Sequence, residues 1–372
     1  MQNCDCLIIG AGPAGGAAAY HLAKRGHNVV VLEKSVWPRT RPCGGGISPA
    51  VSEWFDFDFT PAISTTVNEV VFTWQQGDRV QANLTTEPMW MVKRDVFDAF
   101  LLEQAIAAGA QVQTETEVQT LQFSDCTWQV QTNQGDFSAP YLIAADGVNG
   151  VARQQLGFNP LQITLAATAH LSGVPANPSQ AAFDFGIVKN GFIWQFPQAD
   201  GAMLNAAIIK GKAKEADLVK WLRNYANQPD LVVQVVAIAL WSGQQDLHSQ
   251  NAVLAGDAAG LADPLLAEGT RPALLSGVKA AEAVAAALAG NEEAIAQYSQ
   301  VMQAVWGDDM AWAQRLAGIF YQFPKIGYKV GVKQPVAVKL LSQILCGQLK
   351  YSAIIDRATA AVKKKILPFG GG

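Results

Sequence analysis

Cysteine, positive charge and long hydrophobic runs are all scarce in this chain of 372 residues. Its five cysteines are scattered and odd in number, which is not typical of a disulfide framework, so we expect a reducing, cytoplasmic location. Cys4 and Cys6 form the closest pair, but the four histidines lie far from them in sequence, so we expect no metal site. No apolar run reaches the roughly 18 residues of a membrane-spanning helix, and the N-terminus lacks the basic start of a secretion signal.

The charge balance argues against a nucleic-acid partner. The chain has 27 Lys and Arg against 31 Asp and Glu, a net charge of −4, and no basic stripe with interleaved aromatics. Half of its residues are hydrophobic and only 16% are charged, which is typical of a compact enzyme. Its length exceeds the usual single core, so we expect two lobes that can bury a large ligand.

The N-terminal segment has the pattern strand, glycine turn, helix, strand. The apolar run Cys6–Ile9 predicts a buried parallel strand, and GAGPAG follows it at residues 10–15. A helix is predicted from Pro13 to about Arg25, and a second strand over residues 28–32. This order is typical of a dinucleotide-binding unit.

The glycines and one acid in this segment have specific roles in dinucleotide binding. Gly10 permits a tight turn, Gly12 lets a pyrophosphate approach the helix N-terminus, and Gly15 allows the helix to pack closely on the strand. Glu33 follows the second strand, 23 residues after Gly10, where a carboxylate accepts a hydrogen bond from a ribose hydroxyl. Because a carboxylate disfavours a 2′-phosphate, the dinucleotide is FAD or NAD rather than NADP.

Two later motifs decide between FAD and NAD. A strand runs into Asp146 and Gly147 within YLIAADGVNGVAR, and another runs into Gly256 and Asp257 within AVLAGDAAGLADP. A long extended cofactor requires such a second, distant carboxylate to accept hydrogen bonds from ribityl hydroxyls. The three motifs, in this order, resemble the flavoprotein monooxygenase and reductase superfamily of the para-hydroxybenzoate hydroxylase type, which implies FAD.

Within that superfamily, four segments resemble the geranylgeranyl reductase family, whose members saturate isolated carbon–carbon double bonds of isoprenoid chains. They are PCGGG at 42–46, RDVFDAFL at 94–101, GFIWQFP at 191–197 and LCGQLKYSAI at 345–354. The resemblance implies a prenylated small molecule or lipid as substrate. No second GxGxxG follows, so we expect no nicotinamide domain and an external reductant, either NADPH or another electron donor.

Motif spacing and the resemblance together imply a set of site residues. Those expected to bind FAD are Gly10, Gly12, Ala14, Gly15, Glu33, Lys34, Arg41, Gly44, Gly45, Gly46, Arg94, Val118, Asp146, Gly147, Asp257, Gly269 and Thr270. Those expected to contact substrate are Phe192, Trp194, Phe196, Pro197 and Arg271. Cys43 and Trp194 are the catalytic candidates.

Cys43 precedes three consecutive glycines, whose missing Cβ atoms let a backbone lie close to a planar flavin ring. The thiol would then lie within reach of the chemistry. Three roles remain open for it: a catalytic donor, a group that tunes the flavin, or a small apolar packing residue.

Alternation along GFIWQFP predicts that Phe192, Trp194 and Phe196 share one face of a strand. That face either lines a prenyl channel or belongs to the ordinary core. The resemblance favours the channel for Trp194 and Phe196. Phe192 departs from the family, where tyrosine is usual.

The segment at 265–284 matches the family incompletely. Glu268 and Gly269 fit its GEG motif, but Ala267 replaces the first glycine. The following helix can direct its N-terminus at the flavin and stabilise negative charge there. Arg271 either holds a diphosphate, a carboxylate or an anionic flavin, or makes a surface salt bridge.

The predicted fold class is α/β: a Rossmann-like FAD-binding domain interleaved with a mixed β-sheet substrate domain and followed by a helical C-terminal region. Residues 1–66, 92–160 and 246–300 are assigned to the FAD-binding domain, 67–91 and 161–245 to the substrate domain, and 301–372 to the helical region. A helix is predicted over residues 94–108, with the next strand beginning within 109–112.

The C-terminal aromatics and the basic run Lys363–Lys365 allow peripheral contact with an anionic membrane, with a solvated tail as the alternative. For function, the primary prediction is an FAD-dependent isoprenoid double-bond reductase. The alternative is an aromatic monooxygenase or halogenase of the same superfamily, which predicts an open polar pocket rather than a long apolar one. A third class is a flavin-bearing protein that binds a prenyl lipid or quinone without turnover.

Overall fold

The computed structural model describes residues 2–84, 87–173 and 177–354. A π-helical turn, Gln303–Gly307, joins two of its helices. The α-helices, in chain order, are α1 (Pro13–Lys24), α2 (Arg94–Ala107), α3 (Ala152–Gln155), α4 (Glu215–Ala226), α5 (Thr270–Leu288), α6 (Glu293–Met302), α7 (Asp308–Gln322), α8 (Pro324–Gly327) and α9 (Pro335–Leu345).

Within the described residues, all twenty strands lie before residue 255. In chain order they are β1 (Gln2–Asn3), β2 (Cys6–Ile9), β3 (Val29–Leu32), β4 (Gly46–Ile47), β5 (Thr65–Val67), β6 (Glu69–Trp74), β7 (Gly77–Asn83), β8 (Met89–Met91), β9 (Gln111–Gln113), β10 (Val118–Ser124), β11 (Thr127–Thr132), β12 (Gly135–Ala139), β13 (Tyr141–Ala144), β14 (Thr164–Ser172), β15 (Gln180–Phe185), β16 (Gly191–Gln198), β17 (Gly201–Ile208), β18 (Gln234–Ile238), β19 (His248–Ser249) and β20 (Ala252–Leu254).

The first large sheet has the strand order β19-β20-β13-β2-β3-β9. Its central strands run parallel, and every residue of β2 and β3 is buried. Continuous apolar strands of this kind are expected where both faces of a parallel sheet are covered. Here α1 lies against the sheet and α5 packs along α1, and the expectation of a Rossmann-like core is confirmed.

Small residues let α1 and α5 approach closely. A Cβ atom on Gly277 of α5 would lie 2.2 Å from the Ala14 carbonyl oxygen and 3.0 Å from the Ala17 Cβ of α1. Ala14 in turn lies beside Gly256, because a Cβ there would be 3.0 Å from the Ala14 methyl. The alanine- and glycine-rich composition of both helices is therefore a packing requirement.

The second large sheet has the order β18-β14-β17-β16-β15-β6-β7 and is mixed, since β15 and β6 run parallel while the other neighbours are antiparallel. Alternate residues of β16 face opposite sides. Ile193 packs with Leu218 and Leu222 of α4 on one side, whereas Phe192 and Phe196 pack with the C-terminal helices on the other. This second side faces the site described below.

Two smaller sheets complete the β structure. One, with the order β1-β12-β11-β10, packs beside the parallel sheet. The other, β4-β8-β5, contains Met89–Met91, which the sequence had assigned to the substrate sheet. The pairing of β8 with Gly46 and Ile47 ties it instead to the glycine-rich segment.

The predicted fold class is confirmed: a parallel α/β unit, a mixed sheet formed by chain segments inserted between its strands, and a helical C-terminal region. The strand expected to begin within 109–112 begins at Gln111. Gly109, with φ +111°, donates to the Ile106 carbonyl, and Ala110 donates to that of Ala105, so both residues end α2.

The α1–α5 contact gives a stability prediction. Gly277→Ala should lower the free energy of unfolding by about 1–3 kcal/mol, because the new methyl has no room beside the Ala14 carbonyl. Gly318→Ala in α7 is the matched control: nothing lies within 4 Å of its Cβ position, so it should be stabilising by up to about 1 kcal/mol. Urea unfolding measures both, and equal effects would contradict the tight packing.

Candidate functional site

Four predicted cofactor positions follow the carboxyl ends of neighbouring strands in the parallel sheet. Gly10 follows β2, Glu33 follows β3, Asp146 lies two residues after β13, and Asp257 lies three residues after β20. Because parallel strands end at the same edge, these residues converge from distant parts of the sequence. This edge is where open α/β sheets bind ligands.

The turn between β2 and α1 leaves the start of the helix accessible. Gly10 has φ +96°, and a Cβ on Gly15 would lie 1.9 Å from the Gly10 carbonyl oxygen, so both positions exclude a side chain. Gly12 is the N-terminal cap, with no side-chain cap and no acid in the first turn. The first amides of α1 are thus available to an anion such as a pyrophosphate.

Glu33 is buried and strongly hydrogen bonded. Its carboxylate accepts from the amides of Ala11 (2.9 Å) and Ser35 (3.0 Å), and it lies 3.3 Å from the Arg39 guanidinium. Burial alone would raise the pKa of Glu33, but Arg39 and the two amides outweigh it and lower the pKa. Glu33 is therefore held as an anion, as an acceptor for ribose hydroxyls requires.

Arg94 belongs to an ion-pair network that joins α2 to the sheet edge. Its guanidinium makes a two-bond contact with buried Asp98, at 2.7 and 2.8 Å, and Arg39 bridges Asp98 to Glu33 at 3.3 Å from each. Burial would lower the pKa of Arg94, but the Asp98 carboxylate and the neighbouring Cys43 sulfur raise it. These contacts fix cationic groups beside the start of α1.

Two partly buried carboxylates complete the cofactor edge. Asp146 Oδ2 accepts from the Ala152 amide at 2.9 Å, whereas Oδ1 is buried without a partner among the described residues. Burial raises the pKa of Asp257, and the charges of Arg94 and Arg41 oppose that rise. An acceptor without a partner at one position and a carboxylate beside two cations at the other fit the hydroxyl-rich middle of FAD.

The remaining predicted FAD contacts lie around this edge. Lys34 is exposed and acts electrostatically on Asp146, and Gly147 has φ +82°. Val118 begins β10, two residues after Thr116, whose amide donates to the Glu33 carbonyl at 2.9 Å. Gly269 is the N-terminal cap of α5, and a Cβ atom placed on it would lie 3.4 Å from Asp257 Oδ1. The residues present therefore fit FAD.

A cavity of about 120 Å³ lies between the glycine-rich segment, β16, the start of α5 and the C-terminal helices. Cys43, the three glycines, Trp194 and Phe196 line it. Its composition is mixed rather than uniformly apolar. The apolar contributors include Met89, Phe183, Leu266, Val305, Trp306, Met310, Ile344, Leu345 and Leu349, and the charged ones are Asp263, Glu268, Arg271, Asp309 and Lys350.

The glycines of the segment 44–46 are required by protein neighbours on both sides. Cβ atoms on Gly44 and Gly46 would lie 2.5 Å from the Trp194 indole nitrogen and from the Phe196 ring, respectively. Gly45 has φ +81°, and a Cβ there would lie 2.2 Å from the Val92 carbonyl oxygen. The segment is thus clamped between β16 and the turn after β8, which brings the Cys43 side chain to the cavity.

Only part of the aromatic face of β16 reaches the cavity. Trp194 and Phe196 line it, whereas Phe192 is 1% exposed and packs against Phe183, Phe185 and Trp194. Pro197 is also buried and is not among the lining residues. In this structure Phe192 and Pro197 therefore lie behind the surface of the cavity rather than on it.

The loop before α5 has a backbone conformation that the departure from the family motif makes less favourable. Ala267 has φ +56°, a conformation that favours glycine, which the family has at this position. Glu268 Oε1 accepts from the Arg271 amide at 2.7 Å and so caps α5, while Thr270 lines the cavity. The Arg271 guanidinium lies 5.5 Å from the Trp306 ring, and its Nε is buried without a hydrogen-bond partner among the described residues.

A second acid lies next to Glu268. Asp263 is 4% exposed, and its carboxylate accepts from the Leu265 and Leu266 amides (2.7 and 2.9 Å) and from the Tyr351 hydroxyl (2.7 Å). Burial raises the pKa of both acids, that of Glu268 to about 7. The amide and guanidinium of Arg271 oppose that rise, and the Asp263 charge adds to it.

The C-terminal segment closes the far side of the cavity. Ser48 donates to the Cys346 carbonyl at 2.6 Å, and the Tyr351 and Ser352 amides donate to Asp309 at 3.1 and 3.0 Å. These bonds hold residues 346–352 over the glycine-rich segment. The basic run Lys363–Lys365 lies outside the described residues.

Sequence reasoning did not identify several of these groups. Asp98 lies one helical turn after Arg94, so the i, i+4 spacing could have revealed that pair. Arg39, Asp263 and Tyr351 have no comparable local signal. Tyr351 is 88 residues from Asp263, and only the fold brings them together.

Comparisons with known proteins show the family of this chain. A family model described as FAD binding domain matches residues 3–310. The chain is 31% identical over 300 residues to an uncharacterized protein of Methanosarcina barkeri, covering 77% of this chain and 76% of that protein. It is 26% identical over 301 residues to digeranylgeranylglycerophospholipid reductase 2 of Methanothermobacter thermautotrophicus, covering 75% and 78%.

Solved structures share the fold. A geranylgeranyl bacteriochlorophyll reductase-like protein of Thermoplasma acidophilum superposes with a TM-score of 0.77 at 21% identity, covering 94% of this chain and 93% of that one. A flavin-dependent brominase superposes with a TM-score of 0.72 at 20% identity, covering 98% and 100%. Within the described residues, every helix is too short or too polar to cross a membrane. The chain belongs to the FAD binding domain family, as an FAD-dependent oxidoreductase that resembles the geranylgeranyl reductases.

Proposed function

We propose that this protein saturates isolated carbon–carbon double bonds of a geranylgeranyl-type chain carried by a prenylated lipid or small molecule. The observation that supports this most is the cavity in which the Cys43–Gly46 segment faces Trp194 and Phe196. A prenyl chain needs such an aromatic surface beside the flavin. The relatives named as digeranylgeranylglycerophospholipid reductases support the same assignment.

The cofactor residues divide FAD binding among them. The amides at the start of α1 would hold the pyrophosphate, Glu33 would hold the adenosine ribose, and Asp146 and Asp257 would hold the hydroxyls between the two ends. When bound and reduced, FAD supplies a hydride from N5. An external donor, NADPH or another electron carrier, provides the two electrons.

The cavity residues deal with the low reactivity of an isolated alkene. Such a bond is not electrophilic, so protonation must lead or accompany hydride transfer. Trp194, Phe196 and Phe183 present aromatic rings to the cavity, and each can stabilise positive charge on a tertiary carbon by about 0.5–2 kcal/mol. The C-terminal segment limits the access of water to that charge.

The C-terminal helices also suggest how a lipid substrate reaches the cavity. Their inner residues Tyr328, Val332 and Val338 are buried against the substrate sheet. The outer residues form what we call the outer apolar patch: Ile319, Phe323, Ile326 and Val336, which are 70%, 57%, 61% and 72% exposed. Residues 311–354 contain no Asp or Glu and six cations, Arg315, Lys325, Lys329, Lys333, Lys339 and Lys350.

An anionic lipid surface is the occupant that fits this patch. Apolar side chains insert between lipid tails while the surrounding lysines meet the headgroups. The same helices that close the cavity would then rest on the source of the substrate. Peripheral membrane contact is therefore part of the proposal.

The second candidate function, flavin-dependent oxygenation or halogenation, draws support from the charged residues in the cavity and from the likeness in fold to the brominase. It differs in requiring oxygen. Products that contain oxygen or halogen, formed with oxygen consumption, would favour it over reduction.

The reductase proposal predicts a specific product mass. Anaerobic incubation of the reduced holoprotein with geranylgeranyl lipids should reoxidise the flavin and raise the substrate mass in steps of two hydrogens. Trp194→Ala should slow this reoxidation by more than tenfold, with FAD still bound, because an aromatic ring leaves the cavity. Trp221→Ala, in α4 on the opposite face of the sheet, is the control and should have little effect. Unchanged masses across a broad prenyl panel would reject the proposal.

The membrane proposal predicts a binding difference between two exposed surfaces. Replacing Phe323 and Ile326 by Ser should reduce sedimentation with anionic phospholipid vesicles by at least about tenfold, since each side chain loses its burial in lipid. Val232→Ser, at a site 77% exposed in the substrate domain, should leave sedimentation unchanged. Unaltered protein that stays in the supernatant with anionic vesicles would overturn membrane contact through this patch.

A further inference from the structure

The reduction proposed above needs a proton donor beside the alkene, and the cavity offers few acids. The charged or titratable groups that line it are Cys43, Asp263, Glu268, Arg271, Asp309, Lys350 and Tyr351. Arg271 and Lys350 are cations that do not give up protons readily. The choice therefore falls among Cys43, Tyr351 and the three carboxyl groups.

Most of these groups are already engaged as acceptors or donors. Asp309 accepts from the Tyr351 and Ser352 amides and from the Ser352 hydroxyl. Asp263 accepts three hydrogen bonds, from the Leu265 and Leu266 amides and from the Tyr351 hydroxyl, so its oxygens are already occupied. The Tyr351 hydroxyl already donates a hydrogen bond to Asp263. Burial together with that carboxylate raises the pKa of Tyr351, so it is a weak acid.

The Cys43 sulfur is engaged by two neighbouring groups. It accepts from the Gly45 amide at 3.4 Å and lies beside the Arg94 guanidinium. Thiols are in general weaker acids than carboxyl groups. We therefore assign Cys43 to contacts at the glycine-rich segment rather than to proton donation.

Glu268 also accepts a hydrogen bond, from the Arg271 amide at 2.7 Å, but its side chain is less buried than those of Asp263 and Tyr351. Its side chain is half-buried at the cavity, immediately before the start of α5, where the flavin is expected. The Asp263 amide donates to the Glu268 carbonyl at 2.8 Å, which keeps the two acids together in one turn. A neighbouring carboxylate favours the neutral form of its partner, as in other pairs of acids that divide the acid and base roles.

Resting on the proposed function, we infer that Glu268 is the acid that protonates the substrate double bond. In this step the O–H bond of the Glu268 carboxyl breaks and a C–H bond forms at one alkene carbon. The other carbon would take up the hydride that bound, reduced FAD supplies, and an external two-electron donor, NADPH or another electron carrier, would have reduced the FAD. Glu268 is left as a carboxylate, stabilised by the Arg271 amide until solvent reprotonates it.

This role predicts a pH dependence of definite sign. Burial raises the pKa of Glu268 from its usual 4.5 to about 7, so below pH 7 the acid retains its proton and above pH 7 it loses it. The rate of double-bond reduction should therefore fall about tenfold per pH unit above pH 7. Asp263 and Arg271 lie next to Glu268 with opposite charges, and both affect the pKa that the pH profile measures. The Asp263 charge raises it and the Arg271 charge lowers it.

Three variants of the holoenzyme test the role. Glu268→Gln keeps an oxygen that can accept from the Arg271 amide, and so keeps the helix cap, but has no acidic proton. It should reduce prenyl lipid at least about 100-fold more slowly, with unchanged FAD content and unfolding temperature. Glu268→Asp should recover part of the rate because it retains an acid. Glu282→Gln, on an exposed part of α5, is the matched control and should behave as the unaltered protein.

An independent readout does not depend on turnover. Infrared difference spectra across pH 5–9 should contain a protonated carboxyl band that titrates near pH 7 and is lost in Glu268→Gln. The assignment would be overturned if the unaltered protein reduced prenyl lipid and Glu268→Gln did so at the same rate. A spectrum with no such band would also overturn it. If the unaltered protein reduces no prenyl lipid while the band is present, the proposed substrate fails and the acid itself stands.

Discussion

The segment Gly44–Gly46 is in close contact with Val92 on one side and with β16 on the other, and these contacts determine the position of the site. On one side lies the Val92 carbonyl, on the other the rings of Trp194 and Phe196, and no Cβ atom fits between them. This contact ties the glycine-rich segment, which follows the parallel sheet, to the mixed sheet. The cavity lies along this contact, because the same rings that exclude side chains from the glycines form its surface.

Charge is distributed along the site according to what each region must bind. At the carboxyl edge of the parallel sheet, Arg39 and Arg94 balance Glu33 and Asp98, which leaves the start of α1 open to an anion. At the cavity, burial raises the pKa of Asp263 and Glu268, so both acids hold their protons more tightly than they would in water. A purely apolar channel could hold a prenyl chain but could not supply the proton that its reduction requires.

The cofactor half of the site could be predicted from the sequence because each part is a local motif. GAGPAG, Glu33, Asp146 and Asp257 follow apolar strands, and parallel strands that end at one edge bring such residues together. The lining of the cavity could not be predicted in this way. Tyr351 reaches Asp263 across 88 residues, and Phe192 belongs to the core although it shares a strand face with Trp194. Such contacts depend on how the C-terminal helices pack, for which the sequence has no short-range signal.

The central claim is that the cavity beside the glycine-rich segment is where flavin and prenyl chain meet. A crystal structure of the protein with FAD and an unreacted geranylgeranyl lipid analogue tests it most directly. The account predicts the isoalloxazine ring at the edge of the cavity that Gly44–Gly46 form, with a double bond of the chain in contact with the Trp194 ring. A flavin ring bound elsewhere, or a chain that avoids this cavity, would contradict it.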